Sequence, residues 1–585
     1  METKMGNLLK YTYITAPSLI SSIGFSVNEN MQNIRAYKSG IGEIDDKDIY
    51  NKVFNAARID QKQWNLAAAE GGLNEFTPLE QLFILTLRET IRKSGINPSD
   101  ESCCLVLSTT KGNIERLSED DSPQEVLLSV LGDRIATALG LKNKPIIISN
   151  ACISGVSALI VGRRMIAAGE YKHILVAGGD LLNHFVVSGF DSFKSLSATA
   201  CRPFDQDRDG LSLGEACGSV LLTTEKDYVR EKEPIVLESG AITNDANHIS
   251  GPSRTGDGLY MAISETMTEA GLSTDDISFL NVHGTGTAYN DEMESKAVTW
   301  AGLQNLPLNS LKSYWGHTLG ASGIIETIAC MEELLSGEVF GTFGYKNNGV
   351  PCALNISEEH RSFDLKRCIK TASGFGGCNA AISLALEKEA KAIPTLSPAI
   401  YKIKSQCLIT NGEIKVNDQL VFKLTDADFP DFIRAAYKDR QVDDRKFYKM
   451  DDLCKLGYMA TTFLLTVEEL KKNYNPEEIA LIFANRSSSL DTDKQHQTII
   501  ESGTEASPAV FVYTLPNVVM GELCIRYGIK GENTFFIQDK YDETFLMDYA
   551  SLILSGNKLK ACLIGWCELV GEKYEARFSW LEKTN

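Results

Sequence analysis

One cysteine lies where a strand is predicted to meet a helix. In the stretch PIIISNACISGVSALIVGRRMIAAG, residues 146–148 have the pattern of a buried strand, and residues 156–168 that of a helix ended by Gly169. Cys152 therefore lies near a helix N-terminus, where unpaired N–H groups and the positive end of the helix dipole favour the nucleophilic thiolate. This stretch alone leaves a second interpretation open, a buried cysteine that only packs.

Two of the seven histidines and one phenylalanine lie in glycine-rich segments. His283 is in NVHGTGTAYNDEME, His317 in KSYWGHTLGASG and Phe375 in ASGFGGCNAAISLAL. Glycines beside a ring permit close approach of backbone or ligand, which a merely packed histidine does not require. Lys312 and Glu326 flank His317 and could bracket a site or form an ordinary ion pair. The N–H groups around Phe375 could bind an oxyanion or only form a tight turn.

The composition excludes several classes of protein. The chain has 585 residues, a net charge of −19, 43% hydrophobic and 23% charged residues, and 14 cysteines without a C-x-x-C pair. This is typical of a globular protein of several folding units that binds neither nucleic acid nor an anionic membrane. We expect no metal, no redox cofactor, no membrane span and a reducing, cytoplasmic location.

Strand-like and helix-like segments alternate up to about residue 390. Residues 79–94 carry apolar side chains at helical spacing, and the apolar runs 105–107 and 174–177 have the pattern of core strands. Gly178 and Gly179 are predicted to turn the chain after the second run. The alternation predicts an α/β fold with a mixed or parallel sheet covered by helices.

Part of the chain is repeated beyond a proline-containing linker. LGLKNKPIII resembles YGIKGENTFF, with Gly140 matching Gly528, and HILVAGGD matches ACLIGWCE at the same offset of 388 residues. At this offset Cys152 corresponds to Lys540, so the second copy lacks the cysteine. The chain continues only briefly after the last match, which leaves room for the first half of a repeated fold. Chance similarity between two α/β segments is the alternative.

Four motifs, NACISG, HGTGT, KSYWGHTLGASG and GFGGCNAA, resemble in sequence and order those of the β-ketoacyl synthases. CRPFDQDRDGLSLGEACGSVLL adds a fifth similar segment, and the resemblance covers about residues 8 to 390. These are the condensing enzymes of fatty-acid and type II polyketide synthesis. The resemblance implies their thiolase-like fold, two similar halves stacked as a five-layered α-β-α-β-α sandwich, usually in a homodimer.

The resemblance also divides the chain. We expect an N-terminal synthase half with the cysteine at residues 1–235, a C-terminal half with both histidines at 236–390, and a linker at 391–402. Residues 403–585 are interpreted as a degenerate, non-catalytic α/β half-domain that resembles the N-terminal synthase half. This half-domain is similar to the chain-length-factor partners of type II polyketide synthases and is expected to pack against the synthase domain or a second subunit.

The motifs imply a role for each candidate site residue. Cys152 resembles the nucleophile that accepts the acyl group, and its N–H group and that of Phe375 resemble the oxyanion hole. His283 and His317 resemble the pair that handles the malonyl group. The remaining matches are Lys312, which supports the histidines, Glu326 behind them, Phe375 as a gate, and Thr285 and Thr287 as contacts of the phosphopantetheine arm.

The function implied is that of a 3-oxoacyl-[acyl-carrier-protein] synthase. Such an enzyme condenses an acyl group on cysteine with malonyl carrier protein, with loss of CO2, in fatty-acid, polyketide or aryl-polyene-like synthesis. The expected partner is acyl carrier protein, which is acidic, and the assembly a homodimer or synthase-like heteromer. Candidate basic docking residues are Arg163, Arg164, Lys194, Arg202 and Arg208.

Two alternative functions remain at this point. A thiolase shares the fold but places a second cysteine just before the glycines of the last motif, whereas Cys378 follows Gly376 and Gly377. A non-catalytic chain-length-factor-like partner of another synthase fits residues 400–585 well and residues 1–390 poorly.

Overall fold

The structure, a computed structural model, describes residues 11–118, 124–392 and 396–584. The elements of its first half are β1 (Tyr13–Ser21), α1 (Val27–Arg35), β2 (Ile41–Ile44), β3 (Phe54–Ala57), α2 (Gln61–Glu70), α3 (Pro78–Ser94), β4 (Cys103–Ser108), α4 (Leu128–Ala138), β5 (Ile146–Ile148), α5 (Ser154–Ala168), β6 (His173–Asp180), α6 (His184–Ser192), β7 (Leu213–Gly214) and β8 (Ala216–Thr223).

The second half follows directly. Its elements are β9 (Ile235–Asn244), α7 (Asp257–Glu269), β10 (Phe279–Asn281), α8 (Ala288–Trp300), β11 (Leu308–Asn309), α9 (Lys312–Trp315), α10 (Ser322–Ser336), β12 (Glu338–Val339), β13 (Arg361–Ser362), β14 (Arg367–Gly374) and β15 (Cys378–Leu386).

The two halves share one sheet topology. The main sheet of the first half has the order β5–β4–β6–β8–β1, and that of the second half the order β11–β10–β14–β15–β9. Helices α5 and α10 lie between the sheets and contact both, while α3 covers the first sheet and α7 the second on their outer faces. The fold is the expected five-layered α-β-α-β-α sandwich of the thiolase type.

A third sheet of the same topology follows. Its elements are β16 (Tyr401–Thr410), β17 (Glu413–Val416), β18 (Gln419–Lys423), α11 (Phe429–Asp439), α12 (Asp452–Leu464), α13 (Val467–Asn473), β19 (Ile479–Asn485), α14 (Leu490–Glu501), α15 (Pro508–Phe511), α16 (Val518–Tyr527), β20 (Asn533–Ile537), α17 (Glu543–Leu554), β21 (Ala561–Val570) and β22 (Lys573–Lys583).

Strand order and register both repeat in this C-terminal domain. The order is β20–β19–β21–β22–β16, and the hairpin β17–β18 extends it beyond β16. The pair Cys103↔His173 of the first sheet corresponds to Ile479↔Ala561 in the third. The offset of 388 residues predicted from sequence maps the start of β6 onto the start of β21.

The third sheet joins the first through their edge strands. β20 pairs antiparallel with β5, with Phe536 opposite Ile148. The side-chain amide of Asn150, two residues before the candidate nucleophile, donates to the Asn533 carbonyl at 2.9 Å. Arg164 on α5 forms a buried ion pair with Glu532 at 2.5 Å. The C-terminal domain therefore packs directly against the strand and helix that carry Cys152.

One local prediction from the sequence, a helix, is confirmed, and another, a turn, is wrong. The helix predicted at residues 79–94 is confirmed as α3, and Thr77 and Glu80 form a capping box at its start. The turn predicted at Gly178 and Gly179 is wrong, because both lie within β6. A Cβ on Gly178 would lie 2.5 Å from Ser108 Oγ, so this glycine permits close packing inside the sandwich.

The stretch 151–168, which contains α5, is long and apolar. Its length and hydropathy are those of a membrane-crossing helix, yet 78% of it is buried inside the protein. Because α5 is enclosed between two sheets, its apolar surface on all sides is that of a core helix.

The linker packs on the C-terminal domain where the structure describes it. Residues 393–395, which include Pro394, lie outside the described residues. The N–H group of Ala399 donates to the Ser551 carbonyl on α17 at 3.0 Å, and Ser551 Oγ donates back to the Ala399 carbonyl at 2.7 Å. The segment between the second and third sheets is thus fixed against α17 before β16 begins.

Candidate active site

Cys152 lies in the turn between β5 and α5. Ala151 has a φ of 49°, in the left-handed region. Hydrogen bonds from the Asn150 N–H to Ser154 Oγ (2.8 Å) and from Ser154 Oγ to the Ala151 carbonyl (2.6 Å) close the turn. Helix α5 begins at Ser154, two residues before the predicted start, so Cys152 stands at the predicted strand–helix junction.

The protonation state of Cys152 differs from the sequence expectation. Burial raises the pKa of its thiol to about 12. The positive charge of Lys312 and the backbone N–H groups of Phe375 and Cys152 oppose this shift only in part. The helix N-terminus was expected to favour the thiolate, whereas desolvation of the charged form outweighs the effects that favour it and holds the pKa above its usual range.

The two histidines of the motifs meet in space. His283 follows β10 and His317 follows α9, and their rings are 5.1 Å apart between centroids at an angle of 87°. Burial lowers the pKa of both well below the usual range, and the charge of Lys312 lowers it further. Both imidazoles are therefore neutral at pH 7, and each carries one N–H donor and one acceptor nitrogen.

The surroundings of the two rings differ. His317 Nδ1 lies 3.1 Å from Ser322 Oγ at the start of α10. His283 Nδ1 is buried and has no hydrogen-bond partner among the described residues. A buried ring nitrogen without a protein partner is costly unless a ligand or water binds it. His283 Nδ1 is thus a candidate for such a contact.

Lys312 and Glu326 belong to a buried charge triad. Glu326 Oε1 lies 2.5 Å from Lys312 Nζ, and Glu326 Oε2 lies 2.6 Å from Lys370 Nζ. All three side chains are 2% exposed or less. Lys370, on β14, was not singled out in the sequence, although a lysine within an apolar strand is a recognisable signal. With two cations around one carboxylate, the triad leaves a net positive charge beside the histidines.

Two further carboxylates fix the HGTGT loop. Glu294 accepts hydrogen bonds from the N–H groups of His283 (2.8 Å) and Gly284 (2.6 Å). Asp291 accepts one from the Thr285 N–H at 3.0 Å. Both acids lie on α8, and sequence analysis missed them because DEME reads as an ordinary charged helix face. The loop that carries His283 is thereby held by buried hydrogen bonds to carboxyl oxygens, although burial raises the pKa of both acids, that of Glu294 to about 7.

The two candidate phosphopantetheine contacts lie side by side. The Oγ1 atoms of Thr285 and Thr287 are 2.9 Å apart. Thr285 is buried and Thr287 is partly exposed. The pair thus leads from the surface towards His283, a position that suits hydroxyl contacts to an entering arm.

Phe375 borders Cys152 at the end of β14. Its ring stacks on Phe190 with centroids 6.0 Å apart and lies 5.6 Å from Phe193. A Cβ on the preceding Gly374 would lie 3.1 Å from the Cys152 nitrogen, so the backbone of this loop comes close to the nucleophile. The predicted candidates for nucleophile, oxyanion donors and gate are thus brought together.

A buried aspartate that the sequence analysis missed supports the same region. Asp180, at the end of β6, accepts hydrogen bonds from Thr109 Oγ1 (2.8 Å), the Thr110 N–H (3.0 Å) and the Gly320 N–H (2.7 Å). Glu568, 388 residues later, binds the corresponding loop of the third sheet in the same way. The C-terminal domain thus has the same contact between a carboxylate and the loop, although Lys540 stands at the position that corresponds to Cys152.

Family models match most of this region. One described as β-ketoacyl synthase, N-terminal domain, matches residues 13–228, and one described as β-ketoacyl synthase, C-terminal domain, matches residues 235–346. The chain belongs to the β-ketoacyl synthase family. It is therefore an enzyme of the acyltransferase class that performs condensations.

Curated relatives come from both fatty-acid and polyketide synthesis. A putative polyketide β-ketoacyl synthase 1 from Streptomyces halstedii is 30% identical over 341 residues, 52% of this chain and 81% of the relative. A 3-oxoacyl-[acyl-carrier-protein] synthase 2 from Staphylococcus aureus strain N315 is 26% identical over 412 residues, 64% of this chain and 97% of the relative.

Solved structures extend the comparison. The ketosynthase ApeO in complex with its chain length factor ApeC, from Xenorhabdus doucetiae, is 25% identical, with a TM-score of 0.56, over 64% of this chain and 98% of that one. The PfaC keto synthase–chain length factor has a TM-score of 0.76 at 13% identity, over 98% of this chain and 78% of that one. The second likeness shows the fold alone and includes the C-terminal domain of this synthase.

The C-terminal domain of the synthase also reaches the candidate site. Phe511, Thr514 and Leu515 line the small cavity beside Cys152, together with Phe190 and other residues of the first half. Because these contacts join residues more than 300 positions apart, no local sequence pattern indicates them. They are held there by the packing of α15 on α6, where Phe511 contacts Phe190 with ring centroids 5.5 Å apart.

The candidate carrier-docking residues have mixed outcomes. Arg163 is buried and bonded to Glu269 at 2.9 Å, and Arg164 is buried against the C-terminal domain, so neither can form a surface patch. Arg208 is largely buried and donates to the Gly349 carbonyl at 2.6 Å. These three assignments are wrong, because each guanidinium is largely enclosed and bonded to groups of this chain. Lys194 is exposed, Arg202 is partly exposed, and both stay predictions.

Proposed function

We propose that this synthase condenses an acyl group carried by Cys152 with malonyl carrier protein, with loss of CO2. The observation that carries the proposal is that the buried rings of His283 and His317 lie 5.1 Å apart between centroids, and that Leu319, two residues after His317, lines the cavity beside Cys152. Two neutral imidazoles and a nucleophile therefore share one buried site. Phosphopantetheine-bound substrates would reach it past Thr285 and Thr287.

The first half-reaction is transfer of the acyl group. The Cys152 sulfur attacks the thioester carbonyl of the acyl carrier protein, and the thiol proton passes to the leaving phosphopantetheine sulfur. The N–H groups of Cys152 and Phe375 point at this region and would stabilise the oxyanion that forms. The products are an acyl-Cys152 and a free carrier thiol.

The second half-reaction uses the histidines. The malonyl carrier protein loses CO2, and the negative charge that develops on its thioester oxygen is stabilised by N–H donors of His283 and His317. Neutral imidazoles suit this step because each already carries one N–H donor and does not have to change its protonation state. The net positive Lys312–Glu326–Lys370 triad also favours the negatively charged enolate. The enolate carbon then bonds to the acyl carbonyl carbon, and Cys152 leaves as a thiolate that takes up one proton.

The C-terminal domain is proposed to act as a built-in, non-catalytic partner of the synthase. Its position corresponding to Cys152 is Lys540, and its edge strand already pairs with β5. The chain-length-factor-like function therefore suits this domain, whereas residues 11–392 carry all the residues for which we propose a catalytic role. The homodimer and the cytoplasmic location stay predictions.

The proposal is tested with carrier-bound substrates. Purified protein is mixed with malonyl carrier protein and a panel of acyl carrier proteins, and carrier-bound products are weighed by intact mass spectrometry. We expect products two carbons longer than the acyl donor, which Cys152→Ala abolishes and Cys352→Ala, a change at a partly exposed cysteine, leaves intact. An unacylated Cys152 across the whole panel would contradict the proposal.

A further inference from the structure

A cavity of about 530 Å³ lies between the C-terminal domain and the first half, and no residue with a proposed catalytic role borders it. Leu127 borders it from the first half. Trp566, Glu568 and Val570, every second residue of β21, border it from the third sheet. Because alternate residues of a strand face the same side of a sheet, the cavity lies on the face of the third sheet that carries Glu568.

The chain itself fills the corresponding place on the first sheet. Asp180, the counterpart of Glu568 at the offset of 388 residues, accepts a hydrogen bond from the Gly320 N–H at 2.7 Å. A Cβ on Gly178, the counterpart of Trp566, would lie 3.1 Å from the Gly320 carbonyl oxygen. On the third sheet, Glu568 is bonded only to the loop after β19 as far as the structure describes the chain, and the cavity lies where Gly320 would be.

Three cations border this cavity. Arg486 follows β19, Lys494 lies on α14 and Lys573 begins β22. None of the three forms an ion pair with another described residue, in a chain whose net charge is −19. The Gly571 N–H donates to Asp491 Oδ1 at 2.9 Å and so fixes the β21–β22 hairpin against the start of α14. Lys494 and Lys573 are thereby held on two sides of one cavity.

The other polar groups at the cavity do not neutralise these cations. Of the two acids there, Glu568 accepts the hydrogen bonds of the loop after β19, and Glu575 is paired with Arg577 at 2.7 Å. Trp566 is 4% exposed, and its indole N–H group has no hydrogen-bond partner within the described part of the chain. Cations together with a free N–H donor suit a ligand that carries negative charge and acceptor oxygens.

We propose that this cavity binds an organic phosphate with at least two negative charges and an apolar group, the chemistry of a nucleoside diphosphate. Guanidinium and ammonium groups bind phosphate oxygens through charge-assisted hydrogen bonds. Leu127, Leu490 and Val570 provide an apolar wall for the rest of the ligand. The volume is within the range of small-molecule sites, about 300–1,000 Å³. The inference does not depend on the proposed condensation, since the two sites share no residue.

The test measures binding to the whole chain by titration calorimetry. The probe is ADP, and inorganic pyrophosphate and adenosine represent its charged part and its apolar part alone. The double variant Lys494→Gln with Lys573→Gln removes two charges from the cavity. The matched control, Lys471→Gln with Lys472→Gln, removes two charges from exposed positions on α13 of the same domain. Thermal unfolding verifies that all proteins are folded.

We expect ADP to bind wild type and the control variant with a Kd below about 1 mM, more tightly than pyrophosphate, and adenosine not to bind. The cavity variant should bind ADP at least about tenfold more weakly, because it lacks two charged donors. Hydrogen exchange, measured with and without ADP, should slow in residues 486–494 and 566–575 of wild type.

Three results would overturn the inference. The first is no binding of ADP to wild type at about 1 mM. The second is a folded cavity variant with the wild-type affinity. The third is binding of adenosine as tight as that of ADP, which would show that the cations do not select the ligand. The same titrations on Cys152→Ala should match wild type, so they decide this inference whether or not the chain performs the condensation.

Discussion

The side-chain amide of Asn517 donates a hydrogen bond of 2.8 Å to the carbonyl oxygen of Phe375. Asn517 precedes α16 in the C-terminal domain, whereas Phe375 borders the nucleophile. The glycine after Phe375 is in direct contact with Asn517, since a Cβ on Gly376 would lie 2.6 Å from the Asn517 amide nitrogen. The C-terminal domain thus holds the loop whose Phe375 N–H group is the proposed oxyanion donor beside Cys152.

Asn517→Ala should slow both half-reactions without weakening carrier binding. Loss of the hydrogen bond frees the Phe375 loop, and a misplaced oxyanion donor costs rate, about tenfold in kcat here. Asn517→Asp keeps the size of the side chain but lacks the N–H donor, so it should slow the reaction as Asn517→Ala does. Asn557→Ala, a change at an exposed asparagine, serves as the control. Steady-state kinetics with acyl and malonyl carrier proteins separate kcat from KM. A higher KM at unchanged kcat would contradict a positioning role for Asn517.

The raised pKa of Cys152 predicts how its reactivity depends on pH. At pH 7 the residue is a thiol, and the reactive thiolate fraction grows as pH rises towards the pKa of about 12. We expect alkylation by iodoacetamide to accelerate by about tenfold per pH unit from about pH 7 to about pH 9, without a plateau. N-acetylcysteine, measured alongside, should level off near about pH 8.5. A plateau for Cys152 below that value would show a resting thiolate.

The two buried histidines predict a loss of stability in acid. Their pKa values are well below those in the unfolded chain, so the unfolded state binds more protons once the pH falls below about 6.5. Their contribution to stability is complete above that pH and is lost as the pH falls. We expect the melting temperature to drop between about pH 7 and about pH 5, and to drop less in His283→Asn with His317→Asn. Equal slopes for both proteins would contradict this assignment.

Lys370→Met should destabilise the protein through the charge triad. The substitution leaves buried Glu326 with a single cation, and breaking a buried ion pair costs about 3 kcal/mol of unfolding free energy. Lys366, four residues before Lys370, forms an exposed pair with Asp364, and Lys366→Met should cost less than about 1 kcal/mol. Urea unfolding of both variants measures the difference. Similar losses for the two would show that the triad does not hold Glu326.

Local sequence patterns predicted the site residues that lie within short motifs. The strand–turn–helix around Cys152 and the glycine-rich loops of His283, His317 and Phe375 are recognisable in the sequence. Their glycines mark positions where the backbone is approached closely. The offset of 388 residues also revealed the third sheet, because strand spacing survives even where side chains change. The neutral thiol of Cys152 was not predictable, since its pKa depends on the depth of burial.

Features that depend on packing between distant segments were missed or misread. Lys370 joins Glu326 only through the neighbouring positions of β14 and α10 in the sandwich. Arg164 was read as a surface residue because its partner Glu532 is 368 residues away. Phe511 and Asn517 reach the site through the packing of the C-terminal domain against the first two sheets. These contacts follow from tertiary structure, which a helical or strand period does not encode.

The proposed condensing role of this chain is tested most directly by following one labelled carbon. Malonyl carrier protein labelled in its free carboxyl group is mixed with butyryl carrier protein and the synthase, and labelled CO2 and carrier-bound product are counted together. We expect the wild-type protein to release one CO2 for each product lengthened by two carbons. Cys152→Ala should give no lengthened product, and the double variant His283→Asn with His317→Asn should release CO2 more slowly. Wild-type protein that neither acylates Cys152 nor releases labelled CO2 would contradict a condensing role for this chain.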